Sequence, residues 1–244
     1  MDANTAIVTG ASSGLGAGLA RRLAERGVHV FALARRAEKL EALREEAGDT
    51  IEPVVADVRD TAALVETMRE IDARCGGVDL VIANAGIGGM RRATKLTWEE
   101  WVAPVLEVNV LGAFATLTAL LPRMVERDRG HLVGVSSIAA MRGLPGTGAY
   151  SASKAALSTF LETLRVDLKG TGLSVTTIEP GFVRTPLTEG NPRPMPFLMD
   201  LEPAVDAMVR AIERKEALCT FPWQLSTVGK VGRLVPRFVY ERLV

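Results

Sequence analysis

Tyr150 and Lys154 stand four residues apart in the stretch "AYSASKAAL" at 149–157. On a helix this spacing puts both side chains on one face, so the ammonium reaches the phenol oxygen or a ligand held beside it. A cation there favours the phenolate and lowers the tyrosine pKa from about 10, which makes proton exchange with an alcohol or carbonyl feasible near neutral pH. The pair reads as an acid/base device. Its alternative is two unrelated residues on an ordinary core helix, because YxxxK alone is a common pattern.

A second set of residues could bind a cofactor. The loop "TGASSGLG" runs from Thr9 to Gly16 with the spacing GxxxGxG, at Gly10, Gly14 and Gly16. Glycines let a backbone turn tightly and approach a pyrophosphate, which then rests on the positive end of the following helix. No GKS or GKT follows, which excludes a P-loop. A tight strand-to-helix connection without a ligand is the competing reading.

About twenty residues beyond such a loop, NAD-binding proteins carry an acid for the ribose 2′-hydroxyl. Here the chain reads "ALARRAEK", with Ala34 where the acid would stand and Arg35 and Arg36 after it. Losing the acid removes repulsion, and a guanidinium offers a planar fork to a 2′-phosphate. NADP(H) is therefore expected in preference to NAD(H). A solvated arginine pair at a helix start is disfavoured, since the positive end of the dipole gives cations nothing.

These residues need a scaffold, and the hydrophobic pattern supplies one. Apolar runs rich in β-branched residues occur at 5–9, 28–34, 51–56, 80–83, 131–135 and 174–178, and helical stretches at 15–26, 37–46 and 61–74 lie between them. Strands apolar throughout are buried on both faces, which a parallel sheet between helix layers requires. The expected fold is α/β: a Rossmann-like, doubly wound parallel sheet in three layers, forming one domain over 1–244. Residues 186–203, with the Pro-rich "NPRPMP", read as an irregular substrate loop over the strand ends. No period of repeats or low-complexity tract is present.

Composition sets the remaining limits. The chain has 244 residues, 48% of them hydrophobic, with 29 basic and 29 acidic side chains. That balance argues against nucleic acid as a partner. The start "MDANTAIVTG" carries no signal-like n-region or apolar h-region, so a cytoplasmic protein is expected. Cys75 and Cys219 have no metal-type spacing and no disulfide framework around them. His29 and His131 each open an apolar run, where a structural role outweighs a metal one, so no metal site is expected.

With these motifs in hand, the sequence resembles the short-chain dehydrogenase/reductase family of single-domain type. The likeness rests on "TGASSGLG" at 9–16, "DV" at 57–58, "ANAG" at 83–86, Asn109 in "EVNVLG", "SS" at 136–137, "YSASK" at 150–154 and "PGFVRT" at 180–185, in family order and spacing. It implies that Tyr150 is the general acid in reduction and the general base in oxidation. Lys154 would lower its pKa and hold the nicotinamide ribose. Ser137, chosen over Ser136 on spacing, would hydrogen-bond the substrate oxygen. Asn109 would sit at a break in its helix and hold a proton-relaying water.

The resemblance also implies cofactor contacts. From the loop these are Gly10, Ser12, Ser13, Gly14, Leu15 and Gly16, with Ser12 and Arg35, or Arg36 in its place, at the 2′-phosphate. Asp57 would meet the adenine through its carboxylate and Val58 through its backbone. Asn84, Ala85 and Gly86 would lie beside the adenine ribose, although a structural turn explains Asn84 equally well. Pro180, Gly181, Val183 and Thr185 would bracket the nicotinamide.

The C-terminus departs from the family pattern. Many members end in a short strand and a "DGG"-like stretch that packs in a tetramer, whereas this chain ends "LCTFPWQLSTVGKVGRLVPRFVYERLV". A homodimer through the helices after Asn109 and around Tyr150 is expected to survive. Residues 222–244 read as a helical extension. Apolar Leu225, Val228, Val231, Leu234 and Phe238 are interleaved with Lys230, Arg233, Arg237 and Arg242, and Pro236 interrupts the pattern. A lid over the substrate pocket, an oligomer contact and a weak peripheral membrane contact all fit this pattern.

The leading expectation is an NADP-dependent enzyme that moves hydride between the cofactor and a ketone, aldehyde or secondary alcohol. A 3-oxoacyl-thioester reductase of lipid synthesis is the second enzyme reading. A non-catalytic NADP(H)-binding sensor or scaffold is the alternative from another class, disfavoured because a pure binder has no need for an acid/base pair.

Overall fold

The structure, a computed structural model, describes residues 2–191 and 194–243, and only the backbone at 228, 230–234, 237 and 243. Seven strands form one sheet: β1 (Thr5–Thr9), β2 (His29–Ala34), β3 (Ile51–Val55), β4 (Leu80–Ala83), β5 (Gly130–Val135), β6 (Leu173–Pro180) and β7 (Leu218–Phe221). All pairings are parallel, and the spatial order is β3-β2-β1-β4-β5-β6-β7. This is the Rossmann-like doubly wound sheet that the apolar strand runs imply, and the order reverses at β1. Pro53 is tolerated within β3 because that strand is an edge and has an unused N–H side.

Helices α1 (Gly14–Ala24), α2 (Ala37–Ala47), α3 (Thr61–Arg74), α4 (Ala103–Leu106), α5 (Ala113–Thr118), α6 (Leu121–Glu126), α7 (Gly148–Asp167), α8 (Leu201–Glu213), α9 (Trp223–Leu234) and α10 (Arg237–Leu243) follow in chain order. Strand alternation feeds two cores. On one face Val8, Val30, Ile82 and Ile178 pack with Leu19, Leu23, Leu40, Val205 and Met208 from α1, α2 and α8. On the other, Ile7, Phe31, Val81 and Val175 pack with Leu64, Met68, Leu117, Leu157 and Leu161 from α3, α5 and α7.

The six expected strands are found within two residues of their expected ends. β7 is an addition to that reading. It is four residues long, and Leu218 is 48% exposed, so its apolar signal is weak. The chain therefore keeps a short final strand, and the departure begins only after Phe221.

Asn109 lies in a wide turn of π-helix, Glu107–Gly112, which joins α4 to α5. The expected helix break is thus a helix that runs on through a wider turn, the second such turn after Trp98–Val102. The surrounding segment, Trp98–Glu126, is among the described residues the one helical run long and apolar enough to cross a membrane, and half of its apolar window is buried within the protein. Core packing against the sheet accounts for that apolarity.

Candidate active site

The C-terminal ends of the parallel strands open onto a cleft of about 1420 Å³. Every site residue expected above lines it except Asn109, which lies just behind the wall, where Val108 faces the cleft.

One end of the cleft is built from backbone. Gly10 and Gly14 have φ of +70° and +56°, the left-handed region that favours glycine. A Cβ on Gly10 would stand 2.7 Å from the Ala85 Cα, and one on Gly16 would strike the Gly10 carbonyl and the Asn84 carboxamide. Asn84 fastens the loop from the side: its Nδ2 donates to the Thr9 carbonyl at 2.9 Å, and its N–H donates to the Thr9 hydroxyl at 3.2 Å. Its side chain is therefore engaged with the loop, in line with the structural reading of this residue.

At the end of β2 the two arginines separate. Arg36 caps the N-terminus of α2, and its guanidinium donates to Ser12 Oγ at 2.7 Å and to Ser13 Oγ at 2.8 Å. Arg35 points elsewhere, with Nη1 4.0 Å from Asp57 Oδ2. Of the two, Arg36 is the one held against the glycine loop. Asp57 is engaged by Arg59, whose Nη2 donates to Oδ2 at 2.6 Å. That bond is the main cause holding the Asp57 carboxyl below its ordinary range, and Arg35 adds to it. The Asp57 carboxylate expected at the adenine is thus already in an ion pair, and its neighbour Arg59 escaped the sequence reading.

The other expected residues converge at the middle of the cleft. α7 carries Tyr150 and Lys154, and β5 ends just before Ser136 and Ser137. Ser137 Oγ accepts from the Ala139 N–H at 3.1 Å and stands near enough to the Tyr150 phenol to favour its ionised form. Lys154 Nζ lies 5.8 Å from the Tyr150 ring centroid and donates to the Val135 carbonyl at 2.8 Å. Burial dominates the electrostatics of the pair. It lowers the Lys154 pKa to about 8 and raises that of Tyr150, and the nearby Ser137 hydroxyl only partly opposes the rise. The expected depression of the tyrosine pKa is therefore reversed here, because the ammonium is bonded to a backbone carbonyl and desolvation outweighs its field.

Asn109 is 1% exposed and fully bonded. Its Oδ1 accepts from Ile87 N–H at 2.9 Å, and its Nδ2 donates to the Ile87 carbonyl at 2.8 Å and to Ser153 Oγ at 3.0 Å. It ties the π-turn to α7 and to the irregular segment following β4. Gly86 lies between the two polar groups, since a Cβ there would stand 3.3 Å from Lys154 Nζ and 3.5 Å from Asn109 Oδ1. Gly88, not singled out in the sequence, lets the Tyr150 ring lie on the backbone, a Cβ standing 2.7 Å from Cδ2.

Residues 180–203 and the tail form the other end. Gly181 N–H donates to the Phe221 carbonyl at 2.7 Å, so β7 sets the start of the loop. Val183 pairs with Met199, and Thr188 Oγ1 donates to the Val183 carbonyl at 2.6 Å. Pro192 and Arg193 of the expected substrate loop lie outside the described residues, as does Val244 of the extension. In the tail, Leu225 is buried against Gly181, as its place in the apolar stripe implies. Phe238 is 66% exposed, so it is not part of a buried stripe. Tyr240 makes the contact instead: its hydroxyl donates to the Gly143 carbonyl at 2.6 Å and its ring lies under Arg142 at 3.9 Å. Arg142 also donates to the Val235 carbonyl at 2.8 Å. The side chains of Val228, Lys230, Val231, Arg233, Leu234 and Arg237 lie outside what the structure describes.

His131 is buried with Nε2 2.8 Å from Thr176 Oγ1, and burial lowers its pKa to about 4. It fills the structural role read from the sequence.

A parallel sheet with a glycine loop at its reversal point and a Tyr–Lys pair beside it defines a nicotinamide-dinucleotide oxidoreductase of Rossmann type. The chain belongs to the short chain dehydrogenase family, whose model matches residues 4–195. It is 55% identical over 244 residues to an uncharacterized oxidoreductase of Myxococcus xanthus, covering 99% of this chain and 96% of that one. It is 40% identical over 178 residues to an NADP-dependent 3-hydroxy acid dehydrogenase of Salmonella typhi, covering 72% and 71%. Among solved structures, a short-chain dehydrogenase from Sphingobium yanoikuyae in complex with NADPH matches with a TM-score of 0.82 at 28% identity, covering 96% of each chain.

Proposed function

We propose that the protein is an NADP(H)-dependent reductase or dehydrogenase that interconverts a ketone or aldehyde with the corresponding alcohol. The observation carrying the cofactor preference is Arg36, a guanidinium bonded to Ser12 and Ser13 at the end of β2, where a 2′-hydroxyl reader would be acidic. The glycine contacts at Gly10 and Gly16 support the fit, because only without a Cβ can the loop fold this tightly against itself and Ala85 at the start of α1, where a pyrophosphate would rest. Bound NADPH supplies the hydride.

The chain's own residues handle the proton. Tyr150, its pKa raised by burial, stays a phenol at neutral pH, the form that gives a proton to a carbonyl oxygen. Ser137, beside that phenol on the cleft wall, would donate to the same oxygen as charge develops on it. Lys154 holds its ammonium beside the tyrosine ring, and Asn109 locks α7 to the segment after β4 beside both. The 3-hydroxy acid relative supports putting oxo acids and hydroxy acids first among substrates to try. The extension 222–244 closes the substrate end as a lid. The homodimer of this reading uses α5 and α7, where Phe114 stacks on Phe160 at 4.0 Å and Val166 is exposed.

The test is a fluorescence titration with NADPH and NADH, followed by addition of aldehydes, ketones, oxo acids and 3-oxoacyl thioesters. Tighter NADPH binding with oxidation on at least one carbonyl supports the reading. Binding without turnover across the panel would favour a sensor.

A further inference from the structure

Glu179, the last residue before Pro180, is 5% exposed and has no part in the chemistry above. Among the described residues it makes no ion pair. Its Oε1 accepts from Ser158 Oγ at 3.0 Å, and its Oε2 accepts from Thr220 Oγ1 at 3.2 Å. Ser158 Oγ also lies 2.8 Å from Ser136 Oγ, and Ser136 Oγ donates to the Lys154 carbonyl at 2.9 Å. A polar chain thus runs from β7 through Glu179 to α7, crosses to the end of β5, and returns to the α7 turn that carries Lys154.

This chain touches each wall of the reacting centre at its backbone. Ser136 precedes Ser137, Lys154 follows Tyr150 by one turn, and Glu179 precedes the Pro180–Gly181 corner. A buried carboxyl without a cation is expensive to keep, and an apolar residue would serve a purely space-filling role. We infer that Glu179 is a positioning residue that fixes the end of β5 and the Tyr150–Lys154 turn of α7 relative to each other. The inference rests on the proposed function, for which these two elements hold the reacting groups.

The residue chemistry defines the variants. Glu179→Ala removes the link, and Ser158→Ala cuts it one step further along without touching β6. Glu179→Gln keeps the shape, with an acceptor for Thr220 and a donor for Ser158, whose own proton then goes to Ser136. Reacting groups displaced by fractions of an ångström cost much of the rate, so Glu179→Ala and Ser158→Ala should each lower kcat about 10-fold to 100-fold. NADPH affinity and KM should change by less than kcat, since most of the expected cofactor contacts, the glycine loop and Arg36 among them, are remote from the link even though Lys154 and Pro180 border it. Glu179→Gln should recover kcat to within about threefold of wild type, and the double alanine variant should be no worse than either single one, as members of one network behave.

Amide hydrogen exchange on the same proteins gives a readout that needs no turnover. Faster exchange confined to 136–137 and 150–154 in Glu179→Ala is the expected result. Unchanged exchange at both segments would overturn the inference even if the wild type consumed no carbonyl, an outcome that would count separately against the proposed function. A kcat within about threefold of wild type in Glu179→Ala would also overturn it, as would a loss shared equally by NADPH binding and folded fraction.

Discussion

The two ends of the cleft are held by different physics. At the glycine-loop end, backbone meets backbone, Gly10 against Ala85 and Gly16 against the Gly10 carbonyl, with one side chain, the Asn84 carboxamide, pinning Thr9. At the tail end, side chains join segments far apart in the chain: Tyr240 reaches Gly143 across 97 positions and Arg142 reaches Val235 across 93. Backbone contacts leave no freedom to vary without losing the loop, whereas side-chain contacts tolerate substitution. One scaffold can therefore keep its cofactor chemistry while its substrate pocket changes.

The contrast is broken most sharply at Gly16. Gly16→Ala forces a Cβ into the Gly10 carbonyl and should weaken NADPH at least about 100-fold with the fold intact, read by fluorescence titration and circular dichroism. Wild-type affinity would mean the loop yields.

Where the two ends meet, Lys154 tests what burial costs. Its pKa falls from 10.5 to about 8, so below pH 8 folded and unfolded chains both carry the proton and the full penalty is present. Between these values the unfolded chain binds a proton that the folded one has lost, and this group makes stability rise with pH. Lys154→Met should then stabilise the fold at pH 7 by up to about 3 kcal/mol, less the lost bond to the Val135 carbonyl, while activity disappears. Urea unfolding at pH 7 and pH 10 should show that advantage shrinking at the higher pH. A variant less stable at both would refute the penalty.

Arg36→Asp should weaken NADPH by about 30-fold and NADH far less, the loss expected of a charge-assisted bond to a phosphate. Arg35→Asp should do less, because Arg35 faces Asp57. The reverse order would assign the 2′-phosphate to Arg35. At the tail end, Tyr240→Phe removes one hydrogen bond and should raise KM about threefold with kcat unchanged, measured on any substrate the panel identifies. An unchanged KM would free the tail from the pocket.

The same contrast explains what could be read from sequence. The glycine loop and the Tyr150–Lys154 pair are local, their geometry set by a turn and by helical spacing, so both were legible. The other six strands were legible from their apolar runs, and β4, no longer than β7, was legible because all four of its residues are buried. β7 was not, being half-exposed. "RR" announced a cation, but the cap of α2 decides that Arg36 turns inward. Tyr150's pKa went the other way because burial and the Lys154–Val135 bond are tertiary facts. In the tail, helical spacing favoured Phe238, while the contact to Gly143 belongs to Tyr240, two residues on.

The central claim is that Tyr150 moves the proton while NADPH delivers hydride. The most direct test follows the absorbance of reduced nicotinamide after wild type and Tyr150→Phe, each saturated with NADPH, are mixed with an accepted carbonyl. The account predicts rapid oxidation by the wild type and a rate lower by about a thousandfold in the variant, with NADPH affinity within a few-fold. A Tyr150→Phe protein that oxidises NADPH near the wild-type rate would contradict it.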